Sequence, residues 1–427
     1  MKKKIISIVH FSPNLTFSNS EVIKLDDRKF TRFNDSLQFW FFALGTKFMD
    51  KYSDEFDYEI WQPDININKK ITKRYKNGII YTLFPAVHKS VFENYRIRKR
   101  LYSSTLIQEI ENQISQNNEL LLLFRGTKEY LTNFIVNRFY KKISFVGHFT
   151  ILISHNLNTK RLGNNILKVN YFKYRIVQPY KKFLKKVHNL VPATQNDIHS
   201  NHFFNDLNVY YRENCSSLGM DTNLWKSSPN KNIIKEKFGL DKSEKVFLIS
   251  SRIVKEKQIK EIIVALSSFK AHPFRLFITG STAKNKYFEE VNDLAHKLLD
   301  GKVRFTGFVS DEELRDLFKI ADLFLSFSVQ EGGPQTIYQA YLMEIPVIQS
   351  AVGIAGEVAQ RYNISRLVDP KSIIELKEAF SDYFDGKIPQ ILDRETAVQY
   401  FGWSHIIDYW YQVFSTVFDS SKKNRSH

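Results

Sequence analysis

The stretch from Leu323 to Ala340 decides the fold of the second half of the chain, and it reads LFLSFSVQEGGPQTIYQA. Its apolar beginning, Leu323–Ser328, has the length and composition of a buried strand. The turn Glu331–Pro334 follows, and a helical stretch, Thr336–Glu344, comes after the turn. A strand that runs through a glycine-containing turn into a helix is the repeating unit of a parallel α/β sheet, so the sequence predicts that class of fold.

This turn suits a ligand that carries phosphate. Gly332 and Gly333 let the backbone approach a ligand closely. The free N–H groups and the positive dipole end at the start of the helix favour a diphosphate. Because Pro334 has no N–H group, the phosphate donors must come from Gly333, Gln335 or Thr336.

Two polar side chains lie on either side of that helix start. Glu331 precedes the turn and is placed to accept hydrogen bonds from sugar hydroxyls. Gln339 lies further into the helix, where its amide can meet a ribose. The sequence therefore makes both residues candidates for binding a nucleotide sugar.

A second strand-to-helix turn is basic. The strand Val246–Ser250 leads into the segment Ser251–Lys257, and the predicted helix Ile259–Phe269 follows. Arg252 can direct two donors at phosphate oxygens, and Lys257 adds a compact positive charge. The alternative for this segment alone is a solvated basic turn without a ligand.

A third turn follows the strand Val303–Thr306. The residues after it, Gly307, Phe308 and Val309, can offer backbone groups to the flat edge of a base. Ser310 with Glu313 three residues later is the pattern of a capping box, which predicts a helix start. The alternative is that this segment is only a well-capped helix.

The same alternation of strands and helices covers most of the chain and predicts a doubly wound parallel sheet. Polar and glycine residues near 214–230 form a candidate linker between two α/β domains. We expect an N-terminal domain over residues 1–217, a C-terminal domain over residues 218–400, and a last helix with a polar tail over residues 401–427. Further strands are predicted at Ile5–Val9, Tyr58–Trp61, Ile79–Phe84, Leu120–Phe124, Ser144–Gly147, Leu190–Ala193, Arg275–Thr279 and Pro346–Ser350.

Composition agrees with a folded protein of two domains. The chain has 427 residues, of which 43% are hydrophobic and 15% aromatic. The single cysteine, Cys215, cannot form an internal disulfide, so a cytoplasmic location is expected. The first apolar run is better explained as a strand than as a signal peptide, and no run of about 18 apolar residues predicts a membrane span. Residues 14–35 are predicted to be a long loop that contacts an acceptor, or a disordered insertion.

Residues 245–360 resemble the C-terminal domain of the GT-B glycosyltransferases of family GT4. The resemblance rests on the order and spacing of several pieces over more than a hundred residues. It extends to Phe401–Ser404, which is similar to the start of the family's last helix, one that crosses back to the N-terminal domain. The matching pieces are Ser251–Lys257, Phe305–Leu314, Ala321–Ser328, Glu331–Pro334, Ile345–Ile348 and Val352–Glu357.

The resemblance implies a GT-B fold, in which two Rossmann-like domains face a central cleft, and a retaining hexosyltransferase. Such an enzyme moves a sugar from a UDP- or GDP-linked donor to a glycan or lipid-linked acceptor, as in the synthesis of cell-surface polysaccharides. It implies no metal and no cofactor, and the sequence shows no cluster of His, Asp and Glu at metal-ligand spacing. In the family a second glutamate stands eight positions after the first; here that position is Gln339, which keeps a carbonyl but lacks the charge.

The resemblance also implies a histidine at the end of a strand in the first half, facing the reacting sugar. His148 follows the predicted strand Ser144–Gly147 and is the candidate for this role, together with Glu331 as the second catalytic residue. His155 is a rival, and His148 as an ordinary core or surface histidine is the alternative. The glycine-rich acceptor loop of many family members is replaced here by His10–Pro13.

The formal net charge of +17 predicts anionic partners. Basic segments at Arg96–Arg100 and Tyr180–Lys186 suit peripheral docking on the inner face of an anionic membrane, and the alternative is a solvated basic helix face. No nucleic-acid recognition motif accompanies the charge, so no specific nucleic acid is expected. Two rival functions stay open: a sugar-nucleotide epimerase or hydrolase of the same fold, and a non-catalytic sugar-nucleotide-binding protein.

Overall fold

A computed structural model of the protein divides into two compact units. Unit 1 comprises residues 1–24, 29–218 and 406–427, and unit 2 comprises residues 25–28 and 219–405. The structure describes residues 2–9, 22–25, 28–31, 40–93, 96–116, 119–125, 129–148, 170, 174, 177–192, 205–212, 219–280, 286–331 and 333–425.

Unit 1 is built on an eight-stranded sheet in which every pairing is parallel except that between β5 and β6. The order of the strands across the sheet is β12-β11-β10-β9-β1-β4-β6-β5. In chain order they are β1 (Lys3–Ile8), β4 (Phe56–Asp64), β5 (Ile71–Arg74), β6 (Ile80–Pro85), β9 (Leu120–Arg125), β10 (Ser144–His148), β11 (His188–Val191) and β12 (Asn208–Val209).

The centre of this sheet is apolar on both faces. The run Leu120–Phe124 in β9 is buried throughout, which is typical of a central parallel strand covered by helices on both sides. In the described part of the chain, the helices of unit 1 are α1 (Trp40–Tyr52), α2 (Ser104–Ser115), α3 (Tyr130–Phe139), α4 (Gln178–Val187) and α13 (Trp403–Arg425). Helix α13 begins in unit 2 and continues into unit 1.

Helix α13 packs aromatic side chains against α1. Trp410 meets Trp40 at 5.4 Å between ring centroids, and Phe414 meets Phe48 at 5.3 Å. At the edge of this contact Asp408 accepts hydrogen bonds from Lys51 and from Tyr52, at 2.5 and 2.8 Å. The core of unit 1 therefore depends on the last residues of the chain.

Two short two-stranded sheets are separate from the large sheets, and each corrects a sequence prediction. Strands β2 (Val22–Leu25) and β3 (Arg28–Thr31) form a two-stranded sheet within residues 14–35, so the expectation of a loop there is wrong for these eight residues. Strands of four residues are easily missed in a sequence, because so short a run shows little periodicity. The rest of residues 14–35 lies outside the described residues.

The second two-stranded sheet pairs β7 (Val87–Glu93) with β8 (Arg96–Tyr102). The basic segment Arg96–Arg100 therefore lies on a strand, and the alternative of a basic helix face is wrong at this place. The alternation of Ile97 and Leu101 with cations around them fits strand periodicity, which a high charge obscures.

Unit 2 holds a six-stranded, fully parallel sheet in the order β15-β14-β13-β16-β17-β18. The strands are β13 (Lys245–Ser250), β14 (Phe274–Thr279), β15 (Val303–Gly307), β16 (Leu323–Ser326), β17 (Val347–Ser350) and β18 (Arg366–Val368). The helices are α5 (Lys231–Lys237), α6 (Ile259–Ser267), α7 (Lys286–Leu299), α8 (Asp311–Ile320), α9 (Gln335–Leu342), α10 (Gly353–Tyr362), α11 (Ile373–Phe384) and α12 (Arg394–Phe401).

The predicted fold class, α/β with parallel sheets, is confirmed in both units. The predicted strand Leu323–Ser328 ends at Ser326, and the predicted helix Thr336–Glu344 covers Gln335–Leu342. The strand predicted at Leu190–Ala193 is β11, which lies two residues earlier, at His188–Val191. The shift arises because α4 ends at His188, which has a positive φ of 65°, and β11 begins there. Among the described residues no helix has the length and apolarity needed to cross a bilayer.

Candidate nucleotide-sugar site

The chain reverses its direction of growth across the sheet of unit 2 between β13 and β16. From β13 it builds outward to β14 and β15, and it then returns to the other side of β13 to build β16, β17 and β18. Such a switch point leaves a crevice at the carboxyl ends of the two central strands, where open α/β sheets bind ligands. The turns after β13 and β16, both predicted from the sequence, meet at this crevice.

Lys257 and Glu331 form an ion pair across the switch point. Lys257 ends a single 3₁₀ turn, Lys255–Lys257, and donates to Oε1 of Glu331. The Ser328 hydroxyl donates to the same oxygen at 2.8 Å. The side chains of Lys257 and Glu331 are 17% and 13% exposed, so both charges are partly desolvated. Both bonds use Oε1, which leaves Oε2 of Glu331 for a ligand.

The two turns are also joined through the backbone. The N–H of Val329 donates to the carbonyl of Glu256 at 3.0 Å. Gln258 adopts a left-handed conformation (φ 48°), and its amide donates to the carbonyls of Phe327 and Pro370 at 3.0 and 2.9 Å. Sequence reasoning did not identify Gln258, since nothing in its local pattern signals a bridge to residues about 70 and 110 positions away.

The Gly307 turn is connected to the basic turn by a glycine that the sequence analysis missed. The N–H of Gly280 donates to the carbonyl of Gly307 at 3.0 Å. A Cβ atom at Gly280 (φ 145°) would lie 2.0 Å from the carbonyl oxygen of Ser251. Only glycine permits this approach, so Gly280 holds the turns after β13 and β15 together. A strand that ends in Thr-Gly was the available signal.

Ser310 caps helix α8 as predicted, and its hydroxyl accepts from the N–H of Glu313 at 3.1 Å. The preceding residues Gly307, Phe308 and Val309 are all partly exposed. Their position at the carboxyl end of β15 is the one that the sequence predicted, although the capped helix alone would also produce it.

Helix α9 begins at Gln335, directly after Pro334, whose backbone is extended. Gly333 is exposed, and Gln335 and Thr336 are partly exposed. Gly332 lies outside the described residues. The side chain of Gln339 is buried, and its Oε1 has no hydrogen-bond partner among the residues that the structure describes. An unpaired buried carbonyl is costly, and a hydroxyl donor from a ligand is the kind of group that it lacks.

Arg252 is exposed, and its carbonyl accepts from the N–H of Val254 at 3.1 Å. It lies in the segment between β13 and α6 that also contains Lys257, and its role near a diphosphate stays a prediction. Its guanidinium can move freely toward a ligand from solvent.

His148 lies in unit 1, at the carboxyl end of β10. Its side chain is fully buried, and its ring stacks on Trp40 at 4.4 Å between centroids and meets the edge of Trp410 at 5.5 Å. The structure therefore places the imidazole within the core of unit 1. The rival His155 lies outside the described residues.

Metal ligands do not cluster anywhere in the described part of the chain: no group of three His, Cys, Asp or Glu side chains there is placed to hold a metal ion.

Comparisons with known proteins show what the sequence resembles. Residues 230–396 match the family model of the glycosyl transferases group 1. The Bacillus subtilis glycosyltransferase TuaC, which is assigned provisionally to teichuronic acid biosynthesis, is 28% identical over 162 residues, or 38% of this chain and 39% of TuaC. An alpha-monoglucosyldiacylglycerol synthase of Acholeplasma laidlawii is 31% identical over 121 residues, or 27% of this chain and 29% of that protein. These alignments thus span about two fifths or less of each relative.

Solved structures are similar over nearly the whole chain. Sucrose-phosphate synthase from Thermosynechococcus elongatus superposes with a TM-score of 0.65 at 13% identity, covering 98% of this chain and 100% of that one. Anabaena Alr3699/HepE, in a complex with UDP and glucose, gives 0.60 at 16% identity, covering 97% and 100%. At these identities the likeness shows the fold alone. Residues 230–396 are therefore similar to the glycosyl transferases group 1 family, and the chain has the GT-B fold.

Proposed function

We propose that the protein is a retaining hexosyltransferase that moves a sugar from a UDP- or GDP-linked donor to a glycan or lipid-linked acceptor. The observation that carries the proposal is the Lys257–Glu331 pair at the switch point of the unit 2 sheet. At this position the protein offers one cation and one carboxylate whose second oxygen can bind a ligand. A nucleotide diphosphate and its sugar would meet there.

In this proposal the charge of the leaving diphosphate is stabilised by protein groups and without a metal. Lys257 and Arg252 supply positive charge, and the N–H groups of Gly333, Gln335 and Thr336 at the start of α9 supply donors. Electrostatic stabilisation of charge as it develops lowers the barrier to departure of the nucleotide. Oε2 of Glu331 accepts from a hydroxyl of the donor sugar and so fixes the position of its anomeric carbon.

The base and the ribose take the remaining positions. The buried carbonyl of Gln339 accepts from a ribose hydroxyl, which satisfies the group that the free protein leaves unpaired. The backbone of Gly307, Phe308 and Val309 borders the base. Residues 218–400 thus bind the donor, and residues 1–217 bind the acceptor. His148, at the carboxyl end of β10, stays the candidate in unit 1 for contact with the sugar.

A peripheral location on the cytoplasmic face of the membrane would suit a lipid-linked acceptor. Helix α4 buries Tyr180, Phe183 and Leu184 in unit 1, whereas Lys182 and Lys185 are exposed. Its apolar face is therefore occupied, so the proposed contact with anionic lipid is electrostatic and does not involve insertion of the helix.

The proposal is tested by incubating the purified protein with a panel of UDP- and GDP-linked sugars, with and without glycan and lipid-linked acceptors. We expect slow release of nucleotide that an acceptor accelerates. Glu331→Ala and Lys257→Ala should each lower transfer by about 10²- to 10³-fold, because each removes a charge aimed at the reacting groups, and both should keep the folded far-UV spectrum.

Lys237→Ala is the matched control, since Lys237 also pairs with a largely buried carboxylate of unit 2, Asp316, but lies on a helix outside the proposed site. Its transfer rate should equal that of the wild type. Full activity in either site variant would refute the placement of the donor. Binding of nucleotide sugars without turnover of any donor would favour a non-catalytic binding protein. Hydrolysis that no acceptor accelerates would favour the hypothesis of an epimerase or hydrolase.

A further inference from the structure

The sheet of unit 1 has a switch point of its own. From β1 the chain builds β4 and β6 on one side, and it then returns to the other side of β1 to build β9, β10, β11 and β12. Arg125 is the last residue of β9, directly beside this switch point, and it pairs in register with His148 on β10. The rule that places ligands at the carboxyl ends of such strands therefore applies to Arg125.

The guanidinium of Arg125 is held in an unusual environment for a cation. It lies over the ring of Trp40 at 5.0 Å from the centroid. Burial lowers the pKa of Arg125 to about 10, so the group stays charged at neutral pH. No carboxylate pairs with it in the described part of the chain. An aromatic ring attracts the charge but offers no acceptor oxygen to its five donors.

The residues around Arg125 are fixed by packing. Trp40 is 3% exposed and is held between the ring of His148 and the edge of Trp410. The aromatic group thus positions the guanidinium without neutralising it. Arg125 is partly exposed, and a partly desolvated cation with no carboxylate partner among the described residues is expensive to keep, unless an anion binds there.

We propose that Arg125 binds an anionic group of the acceptor, a phosphate or a carboxylate, at the carboxyl edge of the unit 1 sheet. The proposal rests on the proposed glycosyltransferase function and deepens it, because it names the chemical class of the acceptor. The planar fork of the guanidinium matches two oxygens of either group, and its partial desolvation strengthens the interaction.

The first test measures anion binding without any donor. The unfolding temperature is followed as inorganic phosphate or D-glucuronate is added at constant ionic strength, for the wild type, Arg125→Met, Arg125→Lys and Arg138→Met. Arg138 is a matched control, since it is exposed and already paired with Glu111. Anions bound in unit 2 contribute equally to every protein and cancel in the comparison.

We expect the ligand-induced rise to be largely lost in Arg125→Met, partly kept in Arg125→Lys and unchanged in Arg138→Met. Without ligand, Arg125→Met should be no less stable than the wild type, because an unpaired charge has been removed. A larger rise with phosphate indicates a phosphorylated acceptor, and a larger rise with glucuronate indicates an acidic sugar. Equal rises in all four proteins, or a loss of unliganded stability in Arg125→Met with no loss of anion binding, would overturn the proposal.

The second test uses transfer. For an acceptor that carries the preferred anionic group, Arg125→Met should raise KM by about 10- to 100-fold. For the neutral analogue of the same acceptor, KM and kcat should equal those of the wild type. An equal loss on both acceptors would contradict the assignment. If no nucleotide sugar is turned over even by the wild type, the proposed function fails, whereas the anion-binding comparison still decides the role of Arg125.

Discussion

Glu331 shows how one carboxylate can be both anchored and available. Its Oε1 receives Lys257 and the hydroxyl of Ser328, and Ser328 is itself 1% exposed and fixed because its carbonyl accepts from the hydroxyl of Ser350 at 2.6 Å. Anchoring through one oxygen sets the direction of the other. A preorganised acceptor of this kind loses little conformational entropy when a sugar hydroxyl binds.

Gln339 is expected to lower the stability of the free protein and to strengthen its binding of nucleotide. Replacing it with leucine removes a buried carbonyl that has no partner. Gln339→Leu should therefore raise the free energy of unfolding by up to about 1 kcal/mol and weaken nucleotide binding by about tenfold. Chemical denaturation and calorimetric titration with UDP and GDP measure the two effects.

Gln349→Leu serves as the contrast, because the Oε1 of Gln349 is likewise buried without a partner among the described residues, whereas its amide nitrogen donates to the hydroxyl of Tyr341 at 2.5 Å. That substitution should lower stability and leave affinity for nucleotide unaltered. If Gln339→Leu is destabilising and binds nucleotide as the wild type does, the carbonyl of Gln339 has a structural role only.

At the scale of residues, the sequence predicted those whose role is local and missed those whose role depends on distant neighbours. Lys257 and Glu331 each stand in a turn with its own glycine or charge pattern, so both could be singled out. The missed residues contact partners that only the folded chain brings near. Arg125 lies over Trp40, Gln258 donates to Phe327, and Gly280 lies against Ser251.

Helices α5 and α8 of unit 2 are joined by an acidic side chain that titrates in the acid range. Asp316 on α8 accepts from Lys237 on α5 at 2.8 Å and from Lys319 at 2.9 Å. Burial is the largest single influence and raises the pKa of Asp316, but the two lysines together outweigh it and hold the pKa below its usual range.

A carboxylate with a lowered pKa in the folded state stabilises the fold above its unfolded pKa of about 3.9, and this contribution is lost as the pH falls through the folded value. Asp316→Asn should therefore cost about 1 kcal/mol at pH 7, a modest figure because Lys237 is largely in solvent. Urea unfolding between pH 7 and pH 3 should show the wild type and the variant converging below pH 4. A difference that stays constant over that range would argue against the carboxylate as its source.

At the scale of elements, five of the six described strands of unit 2 were predicted, because each is a short, mostly apolar run next to clear turn residues. Strand β18 was missed, since its three residues, Arg366–Val368, are too few to show a pattern. Unit 1 was less predictable. Strand β8 carries four basic residues among its seven, Arg96–Tyr102, and β2 and β3 are four residues each. Charge and short length both weaken the periodicity on which a strand prediction depends.

The two units should respond separately to changes in their cores. Trp410 packs against Trp40 and His148 in unit 1, although it lies almost at the end of the sequence. Trp410→Ala should destabilise unit 1 by about 3–5 kcal/mol through loss of buried aromatic surface and the cavity that remains. Differential scanning calorimetry should then show the transition of unit 1 at a lower temperature and that of unit 2 unchanged.

Trp225→Ala is the reciprocal control, since Trp225 meets the edge of Phe318 at 5.4 Å within unit 2. It should shift the other transition, and by less, because Trp225 is only partly buried. If either substitution lowers the midpoint temperatures of both transitions by the same amount, the two units unfold cooperatively as one. The two structural units would then not be separate units of stability.

Because helix α13 completes the core of unit 1, the order of synthesis and the order of folding must differ in this protein. When residue 218 leaves the ribosome, the faces of Trp40 and Phe48 that Trp410 and Phe414 later cover are still open. The ribosome then makes residues 219–405, which takes about 10 to 40 s at typical rates of elongation. Unit 2 has all but its residues 25–28 in that single stretch and can fold during it. The nascent first half exposes this aromatic surface for that interval, and a ribosome that stalls before residue 406 would release a chain on which it is still exposed.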